Sequence, residues 1–145
     1  MYYQNLKHLT QENTNFRQVL YTTPLSQVVI MSLQPGEDIG QEIHPGHDQI
    51  FLIIDGQAEA SIANQNMLLD TDYILVVPAG TQHNIRNNGQ DDLKLCTVYT
   101  HPTHNDGTIH VTKADAMADE VANPPTPDNP GTNIYPKKMT IISPR

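Results

Sequence analysis

The chain has 145 residues, enough for one domain with a buried core. Its formal charge of -8 and pI near 5.1 exclude the basic surface that nucleic acid or an anionic membrane attracts. A single cysteine, Cys96, excludes an intramolecular disulfide and fits a reducing compartment.

The acidity is uneven, at about -10 for residues 1–122 and about +2 for the remainder. The N-terminus, Met1-Tyr2-Tyr3-Gln4-Asn5-Leu6-Lys7, lacks the apolar centre of a signal peptide. The longest aliphatic-aromatic runs, 50–54 and 73–77, are too short to span a bilayer, so a cytoplasmic protein is expected.

In chain order, the apolar pattern from residue 17 to 100 reads as strands throughout. Residues 27–33 are β-branched and close at Gln34-Pro35-Gly36, a turn signal. Residues 50–54 are apolar on both faces. One face of that strand is expected to line a barrel, the other to meet a second sheet or a partner subunit. Asp55-Gly56 predicts a hairpin turn into 57–63, with Asn64-Gln65-Asn66 as the next reversal. The run 73–77 stops at Pro78, which has no N–H for a ladder. In 93–99, Leu93, Leu95, Thr97 and Tyr99 share one face. Short strands at this spacing predict a sandwich or barrel, all-β in class. Only 112–122 looks helical, with Thr112 as N-cap, Asp115 three residues on, and an apolar stripe of Ala114, Met117, Ala118 and Val121. Six of the eleven prolines lie beyond residue 123, so 123–145 is expected to be a mobile extension or one laid over a neighbour.

Two segments carry the chemistry. Glu42 and His44 are two apart and face the same way on a strand, and Gln49 begins the next one with Phe51 and Ile53 as apolar walls. His83 follows the tight turn Pro78-Ala79-Gly80, and Asn87 shares its face. A barrel can bring Glu42, His44, Gln49 and His83 to one point, where they would hold a divalent cation. An unpaired buried carboxylate is costly, which favours a cation beside Glu42.

The spacing of Gly36, Glu42, His44, Gln49 and Gly56, followed by Asp72, Pro78, Gly80, His83 and Asn87, resembles the two motifs of the cupins. The resemblance implies a double-stranded β-helix, or jelly-roll barrel, over 1–111, followed by the C-terminal helix at 112–122 and the proline-rich extension. Three positions depart from the family pattern. Glu42 stands where the family has its first histidine, Gln49 where it has glutamate, and Asp72 where it has glycine. The ligand charge is unchanged, but an imidazole is traded for a weaker oxygen donor. That favours Fe(II) or Mn(II), with zinc or nickel as alternatives. Glu42, His44 and His83 would form a two-histidine, one-carboxylate face, with Gln49 as fourth ligand or hydrogen-bonding support.

Other histidines are weighed against this set. His47 reads as a solvated loop residue, with the alternative that it replaces Glu42 as a ligand. Asp48 reads as a turn acceptor. His101, His104 and His110 read as a surface loop turning at Asp106-Gly107; a second metal site or a lid is the alternative. Cys96 reads as a small buried hydrophobe, and Tyr99 as a donor that can reach the cavity.

These residues and the resemblance together point to a metal-dependent enzyme acting on a small polar molecule, of dioxygenase or isomerase type. The alternatives are a non-catalytic small-ligand-binding barrel and a barrel with a vestigial site. A small-molecule ligand and a homodimer are the expected partners.

Overall fold

Strands form here because each inward apolar side chain is buried against a facing sheet while its neighbours point outward. The computed structural model describes residues 1–123, so the expected extension lies outside the described residues from 124 onward. Its elements are α1 (Leu6–Glu12), β1 (Arg17–Thr22), β2 (Gln27–Leu33), β3 (Gln49–Asp55), β4 (Ala58–Ile62), β5 (Gln65–Leu69), β6 (Ile74–Val77), β7 (His83–Asn87), β8 (Leu93–Tyr99), β9 (Ile109–His110) and α2 (Lys113–Ala122).

The strands form two antiparallel sheets, ordered β6-β3-β8-β2-β1-β9 and β5-β4-β7. Residues 38–42 run along β7 as an irregular further strand. Asp38 bridges Arg86, Ile39 N–H donates to Ile85 O, and Glu42 bridges His83. The inner faces close on one core, with Val29, Met31, Phe51, Ile53 and Leu95 meeting Ala58, Ala60 and Ile85. This is the double-stranded β-helix expected from the motifs. β2 and β8 span the expected residues, and Leu93, Leu95, Thr97 and Tyr99 all point into the barrel. Cys96, on the other face, is buried, which pushes its thiol up to about 12. No helix among the described residues is long and apolar enough to cross a membrane.

Four expectations need correction. The N-terminal segment is helical, capped by Asn5, whose side chain accepts from His8 N–H at 3.0 Å. α1 is only seven residues long and offers just Leu6 and Leu9 at helical spacing, too little for a periodic signal. It lies on β8, β3 and β2, where Lys94 Nζ donates to Asn13 O. Part of the outer face of β3 is therefore covered within the chain.

Asp55-Gly56 is a corner between the sheets and not a hairpin, because β3 pairs with β6 and β8 and never with β4. The next reversal comes earlier than expected, at Ala63 and Asn64, both with positive φ. Residues 65–69 then form β5.

The fourth correction concerns α2. Its capping box is present as read, with Thr112 and Asp115 each accepting the other's backbone N–H. Its apolar stripe faces outward instead of inward, with Met117 57% and Val121 83% exposed. The helix docks through buried Ala116 and three polar pairs: Lys113 with Asp38, Asp119 with His110, and Glu120 with Arg17.

Gly56 has φ +100°, and a Cβ there would lie 3.3 Å from both Asp92 O and Leu93 Cα. Gly56→Ala is expected to destabilise the protein by about 2 kcal/mol in urea unfolding. Gly46→Ala, at an ordinary φ with open space around it, should stay within about 0.5 kcal/mol of the parent.

Candidate metal centre

Glu42 and His83 exchange two backbone hydrogen bonds, of 2.8 and 3.0 Å. Such a pair places both side chains on the same face. Gly80 N–H donates to His44 O at 2.8 Å, and Ala79 N–H to Asp48 Oδ1 at 2.8 Å. Asp48 is thus the expected turn acceptor, and it ties the two motif segments together.

The result is a cluster in which one ligand atom each from Glu42, His44 and His83 lies within 4.8 Å of the others. Glu42 Oε2 is 3.1 Å from His44 Nε2 and 3.6 Å from His83 Nε2. His83 Nδ1–H donates to Thr81 O at 2.8 Å, which orients Nε2 toward the carboxylate. A half-buried carboxylate facing two imidazole Nε2 atoms, one of them oriented from behind, could hold a divalent cation. His44 and Glu42 remain 15% and 18% exposed at their side chains, so the cluster opens toward solvent on one side.

Gln49 joins the cluster through His83. Its Oε1 lies 2.8 Å from His83 Nε2, and its Nε2 donates to Thr97 Oγ1 at 3.0 Å. The Phe51 ring, 5.9 Å from that of His83, is one of the expected walls. Asn87 shares the inner face of β7 but serves the backbone, donating to Leu33 O and Asp91 O at 2.8 Å.

Burial alone would raise the Glu42 carboxyl. Hydrogen bonds with His44 and His83, then the charges of His44 and Arg17, outweigh it and hold the group well below the usual carboxylate range. Burial alone would lower His83, but the bonds to Glu42 and Thr81 O leave it raised.

His47 is 6% exposed, contrary to the solvated reading. It stacks on His44 with ring centroids 4.6 Å apart and is hydrogen-bonded to Thr103 Oγ1 at 3.0 Å. Burial, with help from the charges of His44 and His101, pushes it down to about 4. It stands beside the cluster as a neutral wall. The surface-loop reading of the later histidines also fails in part. His110 is buried in β9 and pairs with Asp119 at 3.0 Å. His104 Nε2 lies 3.4 Å from the Tyr99 hydroxyl, and burial, followed by the charge of Arg17, lowers its pKa well below the ordinary value. Gln27, fully buried, accepts from Thr103 and His104 N–H and donates to His104 O at 2.7 Å. The segment is thereby pinned to β2. Tyr99, 1% exposed, presents its ring edge to His44 at 5.7 Å, and burial raises its phenol so that it stays a donor.

Arg17, Gln27 and Glu120 escaped the sequence reading. Arg17 is 1% exposed, with Nη2 3.9 Å from Glu42 Oε1 and Nη1 3.4 Å from Glu120 Oε1. The only available signal was its place two residues before Val19, on the inward side of β1.

A family model described as Cupin domain matches residues 29–99. An uncharacterised protein of Bacillus subtilis, YrkC, is 43% identical over 122 residues, 80% of this chain and 66% of that protein, so the chain spans just under two thirds of this relative. The Streptomyces cyaneus protein named polyketide synthase CurC is 26% identical over 90 residues, 61% of this chain and 58% of that one. The crystal structure of BH2720 from Bacillus halodurans is 42% identical with a TM-score of 0.78, over 79% of this chain and 91% of that one.

In metal-free protein, Glu42→Gln is expected to cost about 3 kcal/mol near pH 7, because Arg17 and His83 lose their anion. A carboxylate with a depressed folded pKa contributes stability above its ordinary value of 4.5 and loses it as pH falls. The gap between parent and variant in urea unfolding should therefore narrow from pH 6 to pH 3.

Proposed function

We propose that the chain, which belongs to the cupin family, holds one divalent cation on Glu42, His44 and His83 and acts as a metal-dependent enzyme on a small polar molecule. The carrying observation is the convergence of those three ligand atoms within 4.8 Å on the partly open side of a closed barrel. Gln49 serves as a fourth ligand or as the group that holds His83. Fe(II) or Mn(II) suits two imidazoles with oxygen donors, with zinc or nickel as the alternatives. Such a cation, when bound, supplies Lewis acidity or redox chemistry of the kind oxygenation and isomerisation need. The chain's own contribution is positional. Tyr99 keeps a phenolic proton near the mouth, His104 and His47 stay neutral, and Phe51 walls one side. A relative named as a polyketide synthase supports small-molecule turnover over storage.

The barrel domain over 1–111 is proposed to pair as a homodimer. Ile74 and Val76 on the edge strand β6 are 61% and 55% exposed and stand opposite Leu52 and Ile50 on the same face. An apolar edge without charges invites pairing with another strand, here its own copy. A cytoplasmic setting accords with the lone buried thiol.

Protein reloaded anaerobically with Fe(II) or Mn(II) should retain about one equivalent per chain. His44→Ala and His83→Ala should retain less than about a tenth, while His47→Ala keeps the metal. Retention by the His83 variant would sink the site as drawn. For the dimer, light scattering should give twice the chain mass, reduced to the monomer by Val76→Lys; a monomeric parent removes the proposal.

A further inference from the structure

We infer that Arg17 is an anchor for a carboxylate, so that the molecule taken by this site is a small organic acid and not a neutral sugar or phenol. This rests on the metal reading above and names its substrate class.

The first ground is the state of the guanidinium. Its side chain is 1% exposed, yet Arg17 Nε has no hydrogen-bond partner among the described residues. The contact to Glu42 is 3.9 Å, beyond hydrogen-bond reach, and the contact to Glu120 is a long 3.4 Å to a side chain 56% exposed. A guanidinium carries five donors in a planar fork suited to a carboxylate, and leaving such donors buried and unpaired is costly. Arg17 is held in place but not saturated.

The second ground is charge. With neutral imidazoles, Glu42 and Arg17 cancel inside the barrel, while Glu120, 56% exposed, is screened by solvent. A divalent cation then adds two positive charges, in an interior that Tyr99, Phe51 and Leu95 make apolar. Binding a carboxylate offsets one of them, whereas a neutral molecule leaves both in a medium of low dielectric. Arg17 also sits next to the ligand it would complement. Once a cation takes up the charge of Glu42, the guanidinium loses its inner counter-ion and is free to meet an incoming carboxylate. Glu120, on α2, is then the competing anion that the acid displaces.

The test uses the full chain, first dialysed against Mn(II) to measure metal uptake, then titrated calorimetrically with pyruvate and with its uncharged analogue pyruvamide. Pyruvate is expected to bind the Mn(II)-loaded protein at least about tenfold more tightly than pyruvamide. Arg17→Met should erase that preference while metal uptake persists, and Arg17→Lys should restore part of it. Because Arg17 is buried and its variants risk misfolding, Glu120→Gln provides a second arm. It removes the competing anion from a half-exposed position, and should tighten pyruvate by about two- to threefold without moving pyruvamide. Failure of the parent to take up Mn(II) overturns the metal reading and this inference with it. Normal uptake with equal binding of acid and amide overturns this inference alone. So does a pyruvate affinity indifferent to Glu120→Gln or to a folded Arg17→Met.

Discussion

The site depends on one two-way backbone pair, between Glu42 and His83. These residues lie about forty positions apart, and neither segment alone could set the angle between a carboxylate and an imidazole. A hydrogen-bonded antiparallel pair fixes both residues on one face at a set spacing, so bridging the backbones aims the side chains as well. The neighbouring bonds, Gly80 N–H to His44 O and Ala79 N–H to Asp48, extend the same clamp. His44 and the Pro78-Ala79-Gly80 turn are thereby held to one another across the barrel mouth. A ligand set displaced by an ångström is a weak one, which explains why rigid backbone contacts surround this cluster.

Around that clamp the chain builds a polar shell from elements remote in sequence. Gln27 on β2 pins the segment of Thr103 and His104, and Thr103 in turn meets His47, which stacks on His44. α2 arrives last in the described chain and docks through Lys113, Asp119 and Glu120 instead of an apolar face. Its three acidic or basic side chains reach β1, β9 and residue 38 from positions that stay 30–56% exposed, so solvent weakens each pair. An element that carries a counter-ion of Arg17 and yet is weakly attached is well placed to yield when a ligand arrives.

The barrel was largely legible from sequence, because strand alternation and motif spacing depend on local chemistry. Gln27–Leu33 and Leu93–Tyr99 have continuous β-branched and alternating patterns, and the structure reproduces their bounds. Glu42, His44 and His83 were legible because the motif records their spacing. What escaped was decided by tertiary contacts. His47 looks solvated next to Pro45-Gly46, and only the return of residues 101–104 buries it. The stripe of α2 looked like a core face, yet burial was won by Ala116 with its flanking charges, which found partners on β1, β9 and residue 38. Asp72 keeps φ at +72°, the conformation for which the motif ordinarily uses glycine. Aspartate is one of the few other residues that tolerate it.

The placement of Arg17 accounts for the most unusual feature of the candidate site, the carboxylate at 42 and the amide at 49. Gln49 is 1% exposed and lies between Thr97 Oγ1 and His83 Nε2. A glutamate there would bury a charge whose neighbours are a hydroxyl and an imidazole, with no permanent cation in contact, and desolvating it would cost several kcal/mol. An amide satisfies the same two groups without that cost. At position 42 the situation is reversed, because the Arg17 guanidinium stands 3.9 Å away and the side chain is partly solvated. A histidine at 42 would instead leave Arg17 without its inner counter-ion. The two departures from the motif are therefore coupled through a third residue that the motif does not contain.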